Sequence, residues 1–155
     1  MKKKFDQRSF TWQDVHPTSY ADEHSDGSGR SWRDTKRHII KGRDEGGRFD
    51  VRYFEVGPGG FTSLERHEHI HSVICVRGRG YAIVGDEVHD VEELDHIYVP
   101  ANARHQFVNQ GDDAFGFLCI VDTDRDRPQA LGADELAALR AHPLLASKIK
   151  TASSS

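Results

Sequence analysis

"ERHEHIHSVICVRGRG", residues 65–80, carries histidines at 67, 69 and 71, follows them with an apolar run and closes on two glycines. On an extended strand alternate side chains share a face, which places Glu65, His67, His69 and His71 together. Neutral imidazole, with an ordinary pKa of about 6.5, offers a nitrogen lone pair to zinc, iron, manganese, cobalt or nickel at neutral pH. From the alternation alone a metal centre and a wet polar stripe are both open, because the chain also uses histidine at 16, 24, 38, 89 and 96. The setting favours the metal. These histidines lie between a glycine-rich turn and "VICV", where a solvated stripe would more naturally hold charged or hydroxyl residues.

A second stretch strengthens that reading. "DHIYVPANARHQFVN", residues 95–109, runs as an apolar strand to Pro100, turns, and resumes with His105. In a small barrel this strand returns past the first and supplies a ligand from across the lumen. Three ligands from two strands would leave coordination positions open for a substrate, as catalytic metal sites require.

Around these two stretches, from Phe49 onward, short runs such as "FDVRYFEV", "RGYAIVG" and "AFGFLCIVD" repeat apolar residues at period two. Turn signals, among them "GPGG", recur about every 8–12 residues, the spacing of an all-β sandwich or barrel. The organisation expected is a polar, partly disordered N-terminal arm over 1–48, a barrel over 49–122 and a C-terminal extension over 123–150. "ADEHSDGSGRSWRD", 21–34, reads as a loop with few residues able to repay the entropy of ordering. Phe10, Trp12 and Trp32 in the arm are suited to pin it across a neighbouring subunit. In the extension, Asp134 is placed to cap a helix over "ELAALRAH", Leu136 and Leu139 give it an apolar face, and Pro143 ends it. The final "KTASSS" is expected to fray.

Composition narrows the classes. With 155 residues the chain suits one domain; 36% are hydrophobic and 30% charged, so the core is expected mainly from residues 50–121. A net charge of −4 gives no electrostatic case for gripping nucleic acid. No apolar stretch approaches the roughly 20 residues of a membrane span, and "MKKKFDQRSFTW" lacks a signal-peptide core. A cytoplasmic protein is expected. Cys75 and Cys119 show no CxxC spacing and sit in apolar runs, as buried reduced thiols would.

The paired stretches resemble the two motifs of the cupin superfamily, over about residues 50–121. The resemblance implies an all-β double-stranded β-helix, a jelly-roll barrel with a metal in its lumen. Aligned without gaps, Gly59 takes the first glycine of the first motif, Glu65 the first histidine, His67 the second, His71 the glutamate and Gly78 the closing glycine. Shortening the loop by two residues makes His67 and His69 the His-x-His pair instead. In the second motif Pro100, His105 and Asn109 match, Asn102 replaces a glycine, and Leu94 stands where glycine is usual. Asn102 tolerates a left-handed backbone; Leu94 does not, so that turn is expected to be shaped differently. The implied ligands are His67, His69, His71 and His105, holding one divalent first-row metal. Manganese comes first, with iron, nickel, cobalt and zinc as alternatives.

The wider pattern "SLERHEHIHSV…GRG…VGDEVHDV…HQF…FGFLC…RDRPQ" is similar to a smaller group, the methylthioxylulose 5-phosphate methylsulfurylases. These are manganese-dependent cupins that cleave a carbon–sulfur bond to give deoxyxylulose 5-phosphate. That resemblance implies a sugar phosphate substrate, Cys119 as acceptor of the methylthio group and a thiol co-substrate that releases methanethiol. Glu65 or an unliganded His69 would move the proton. The residues alone leave Cys119 open between this role and plain core between Leu118 and Ile120. Two other functions also stand: an iron-dependent dioxygenase and a non-catalytic, metal-containing small-ligand binder. A phosphate calls for arginine or lysine. Arg66 and Arg104 flank the ligands and should point outward, which leaves Arg52, Arg77, Arg79 and the "DRDRP" arginines. "GPGG" lacks the strand-to-helix setting of a nucleotide loop. A homodimer would cover the exposed sheet edges of such a barrel.

Overall fold

The computed structural model describes residues 1–19, 24–25 and 30–151. Residues 20–23 and 26–29, on which much of the loop expected over 21–34 falls, lie outside the described residues. So do 152–155, most of the segment expected to fray.

The regular structure of the described chain is nearly all strand. In order come β1 (Phe5–Asp6), β2 (Thr11–Trp12), β3 (Pro17–Ser19), β4 (His24–Ser25), β5 (Ser31–Lys41), β6 (Phe49–Phe61), β7 (Glu65–Arg66) and β8 (His71–Arg77). Then follow β9 (Gly80–Val84), β10 (Glu87–Val91), β11 (His96–Val99), β12 (His105–Val108), β13 (Phe115–Asp122), β14 (Gln129–Ala130) and one helix, α1 (Ala133–Ala141). All the pairings are antiparallel. One layer runs β5-β6-β13-β8-β11, and the other runs β10-β9-β12, with β12 joined to the far end of β6 and to β7. This is the double-stranded β-helix expected from the motifs, with β6 shared by both layers.

Strand β6 crosses between the layers at "GPGG". Those residues were expected to form a turn, yet the strand runs through them. Gly59 takes φ 71°, open to glycine at little cost, and a Cβ on Gly60 would lie 2.7 Å from the Arg33 carbonyl oxygen. Glycine here lets the strand bend against its neighbour rather than reverse.

Period-two burial builds the core. Phe54, Val56, Val73, Cys75, Phe107, Phe117, Cys119 and Val121 point between the layers. On the outer face of the second layer, Phe61, Leu64, Tyr81, Ile83 and Val108 form another apolar cluster. Leu131, Leu139, Leu145 and Ile149 close over it, so the core is not confined to residues 50–121. The C-terminal segment is also tied to β12: the Gln106 amide donates to the carbonyls of Thr62 and Lys150, each at 2.8 Å, and accepts from the Lys150 N–H at 2.9 Å. Helix α1 is capped by Gly132, not Asp134. Asp134 and Glu135 lie inside the first turn, where their charge complements the helix dipole.

The polar stretch before Phe49 holds a strand that the sequence reading did not place. Strand β5 pairs with β6 along most of its length but shifts register between Arg33 and Thr35 and again between Ile39 and Lys41. Such bulges erase the alternation by which an edge strand is recognised. The arm's aromatics are used within the chain: the rings of Phe10 and Trp12 lie 5.4 and 5.3 Å from that of Tyr53. Both cysteines are free and buried, as expected.

Asn102 is left-handed, at φ 62°. Leu94 adopts the same region, φ 74°, so the turn keeps the conformation glycine would give it. Leucine holds that geometry at a cost of about 1–2 kcal/mol, and with its side chain 82% exposed it recovers little by burial. Leu94→Gly is therefore expected to stabilise the fold by about 1 kcal/mol, less some unfolded-state entropy. Urea denaturation checks this, and an unchanged or lowered midpoint would contradict it.

Candidate metal centre

Three chain segments converge on one end of the barrel lumen. Strand β12 pairs with β7 so that His105 lies opposite Glu65, and β8 begins at His71. Between β7 and β8, residues 67–70 are bent rather than extended. An extended strand would separate residues four apart by about 13 Å. The bend instead brings His67 Nε2 and His71 Nε2 to 2.8 Å. The side chains of Glu65, His67, His69, His71 and His105 thus face one space although no single strand carries them.

The ring nitrogens fall into a consistent pattern. His67 Nδ1 lies 2.8 Å from the His69 carbonyl and His105 Nδ1 lies 3.0 Å from the Ala103 carbonyl. A carbonyl only accepts, so both Nδ1 atoms carry the proton and both Nε2 atoms present lone pairs. His69 Nδ1 faces the Asp126 carboxylate at 2.7 Å, with the same result for an ionised carboxylate. The rings are close: His67 stacks on His69 at 3.5 Å, and His105 lies 4.8 Å from His67 and 4.9 Å from His71.

This donor set fits a divalent first-row metal. Ligating atoms of His67, His69 and His71, and separately of Glu65, His67 and His105, all lie within 4.8 Å of one another. Two nitrogens bound at right angles to one ion would be about 3 Å apart for bonds of about 2.1 Å, near the His67–His71 spacing. Metal-binding histidines are ordinarily held through their second nitrogen by a carbonyl or carboxylate, and three of these four are. Burial, reinforced by the neighbouring rings, pulls His67 down to about 4. Burial likewise takes His105 to about 4 and His71 lower still. All three rings are neutral at pH 7, the form that ligates.

Cys119 belongs to the same cavity. On β13 it lies opposite Arg52 of β6 and Val73 of β8, facing the lumen and not the outer layer. Its Sγ is 3.0 Å from His71 Nδ1 and 3.2 Å from Arg52 Nη2. Burial pushes the thiol up, while the Arg52 guanidinium acts in the opposite direction. Glu65 is also raised by burial, against the pull of Arg30. Arg30 Nε stands 3.1 Å from Glu65 Oε2, close enough for an ion pair but not aligned as a hydrogen bond.

The cavity encloses about 190 Å³, and besides the histidines and Cys119 its wall includes Arg30, Arg37, Arg52, Arg125 and Asp126. Arg66 and Arg104 point away, as the strand alternation implied, and pair with Glu135. Arg77 is bound to Glu55. Of the arginines left open by the sequence, Arg52 and Arg125 reach the site, whereas Arg30 and Arg37 were not anticipated. Asp126 was missed as well. Its carboxyl is drawn down by hydrogen bonds from Glu68 and His69 against a desolvation effect that would raise it.

Residues 52–121 match the family model described as Cupin domain. The chain is 40% identical over 140 residues to 1-methylthio-D-xylulose 5-phosphate methylsulfurylase of Rhodospirillum rubrum, covering 90% of this chain and 86% of that one. Among solved structures, a cupin-2 domain protein of Rhodospirillum rubrum matches at 36% identity, covering 95% of this chain and 94% of that chain, with a TM-score of 0.80. A cupin 2 conserved barrel domain protein of Rhodopseudomonas palustris matches at 35% identity, covering 97% and 100%, with a TM-score of 0.83.

Proposed function

Because the chain belongs to the cupin family, we propose that it is a metal-dependent enzyme that cleaves the carbon–sulfur bond of a 1-methylthio sugar phosphate and passes the methylthio group to Cys119. The observation that carries this reading is the position of the thiol. Cys119 Sγ stands in the histidine-lined cavity, 3.0 Å from His71 Nδ1 and 3.2 Å from Arg52 Nη2, where a sulfur nucleophile would meet a substrate. The 40% identity to a methylthioxylulose phosphate methylsulfurylase supports the same substrate class.

In this reading His67, His69, His71 and His105 ligate through Nε2, and the native ion is manganese. When bound, such an ion supplies Lewis acidity towards the sugar carbonyl beside the bond to be broken. With Nε2 so used, His71 keeps its proton on Nδ1 and donates it towards Sγ. Arg52 Nη2 donates from another side, so the sulfur is held between two donors that favour its thiolate. The thiolate attacks the methylthio sulfur: the S–S bond forms, the C1–S bond breaks, and the electron pair passes to C1 as the enolate of the adjacent carbonyl. Glu65, whose protonated form burial favours, delivers a proton to C1 and gives the deoxy sugar phosphate. A small thiol then displaces methanethiol from the mixed disulfide, and a second one frees Cys119.

The phosphate end of the substrate would meet Arg30, Arg37 and Arg125. Together with Arg52 these line the cavity wall with guanidinium groups, the donors that a phosphate calls for.

Incubation with 1-methylthioxylulose 5-phosphate, Mn²⁺ and dithiothreitol is expected to yield deoxyxylulose 5-phosphate and methanethiol, equally with and without oxygen. Product formed only with oxygen, together with oxygen uptake, would establish the dioxygenase reading instead. Tight retention of the sugar phosphate without turnover would establish a binding protein.

A further inference from the structure

Asp126 lies between β13 and β14, beyond the strands that build the lumen. Its carboxylate nevertheless takes three N–H donors from the histidine-bearing bend: Glu68 N at 2.8 Å, His69 N at 3.2 Å and His69 Nδ1 at 2.7 Å. The residue before it is anchored to the barrel. Arg125 Nη1 donates to Asp50 Oδ2 and to the Asp122 carbonyl, each at 2.7 Å, so the carboxylate is presented from a fixed base. The bend 67–70 has no strand pairing of its own, and these bonds therefore supply much of its restraint.

We infer that Asp126 is a positioning residue that holds His69 in the Nδ1–H tautomer, turning the Nε2 lone pair into the cavity, and that the segment after β13 is thereby a working part of the metal centre. The affinity half of this statement rests on the metal reading above; the tautomer half does not.

The chemistry follows from donor and acceptor counts. An ionised carboxylate only accepts, so a ring nitrogen beside it must carry the proton. Glu68 N bonds one carboxylate oxygen, while His69 N and His69 Nδ1 share the other, so truncation to alanine removes the acceptor that fixes the proton on Nδ1. The ring is then released to the Nε2–H form that a free neutral imidazole prefers, in which Nε2 has no lone pair to offer a metal. The carboxylate–histidine pairing that orients metal ligands elsewhere rests on the same asymmetry, and its loss costs about 10–100-fold in affinity.

The test compares the native chain with Asp126→Ala. Nitrogen-edited NMR of the histidine rings in metal-free protein is expected to show His69 as Nδ1–H in the native chain and shifted to Nε2–H in the variant. Cobalt(II) titration followed by its visible absorption is expected to show binding weakened about 10–100-fold, with circular dichroism unchanged. An Nδ1–H pattern retained in the variant overturns the inference. So does a tautomer shift without weaker binding in a native protein that binds cobalt. A native protein that binds no cobalt refutes the metal reading instead, and the tautomer measurement still decides the role of Asp126.

Discussion

Cys119→Ser is expected to keep its metal and its fold while losing methylthio transfer by about a thousandfold or more, the scale on which removal of a catalytic nucleophile is felt. The substitution exchanges sulfur for oxygen in a site that is only 1% exposed, and the smaller hydroxyl still finds His71 Nδ1 and Arg52 Nη2 as partners. The fold should therefore notice little. Chemistry should notice a great deal, because a serine hydroxyl neither ionises at neutral pH nor forms a stable bond to a methylthio sulfur. Mass spectrometry supplies a second readout. Native protein quenched before thiol is added should carry one methylthio group on Cys119, and the serine variant none. Unchanged turnover in the variant would return Cys119 to the status of a core residue on β13.

The second large effect belongs to His67. It is the residue common to both groups of converging donors, one with His69 and His71 and the other with Glu65 and His105. Removing it leaves no intact set. His67→Ala is expected to weaken metal binding by about a thousandfold, beyond the 10–100-fold typical of losing an outer partner, and to leave purified protein essentially metal-free by elemental analysis. His105→Ala removes one group and spares the other, so it should bind metal more weakly than native but better than His67→Ala. Far-UV circular dichroism should stay β-rich in both, since the sheet pairings are made by the backbone. Native metal content in His67→Ala would reject the centre.

The barrel could be read from sequence because its inward residues alternate without interruption: Phe115, Phe117, Cys119 and Val121 fall on one face by period alone. The histidines were legible for a related reason, since their spacing survives the bend that carries them. Strand β5 was hidden by two register shifts and by charges on its exposed side. The side on which Cys119 points could not be decided by alternation, which divides a strand into two faces without naming the lumen. Asp126, Arg30 and Arg37 left no local signature at all. Each reaches the cavity through a fold-level return of the chain, as in the pairing of Asp126 with a histidine 57 positions earlier. The glycine-like turn at Leu94 was misread because sequence reports steric preference but not the strain a finished fold imposes.

One backbone contact has a bearing on how the site would acquire its ion. The Asn102 N–H donates to the His67 carbonyl at 2.7 Å, stitching the turn before His105 to the bend that carries the other histidines. Both halves of the donor set are thus held in register by the polypeptide itself, in contrast to small zinc domains that fold only around their metal. Chelation should then empty the vessel without breaking it. Which ion occupies the barrel in a cell would be governed by availability and exchange at a preformed mouth, and replacing one metal by another should proceed without passage through an unfolded chain.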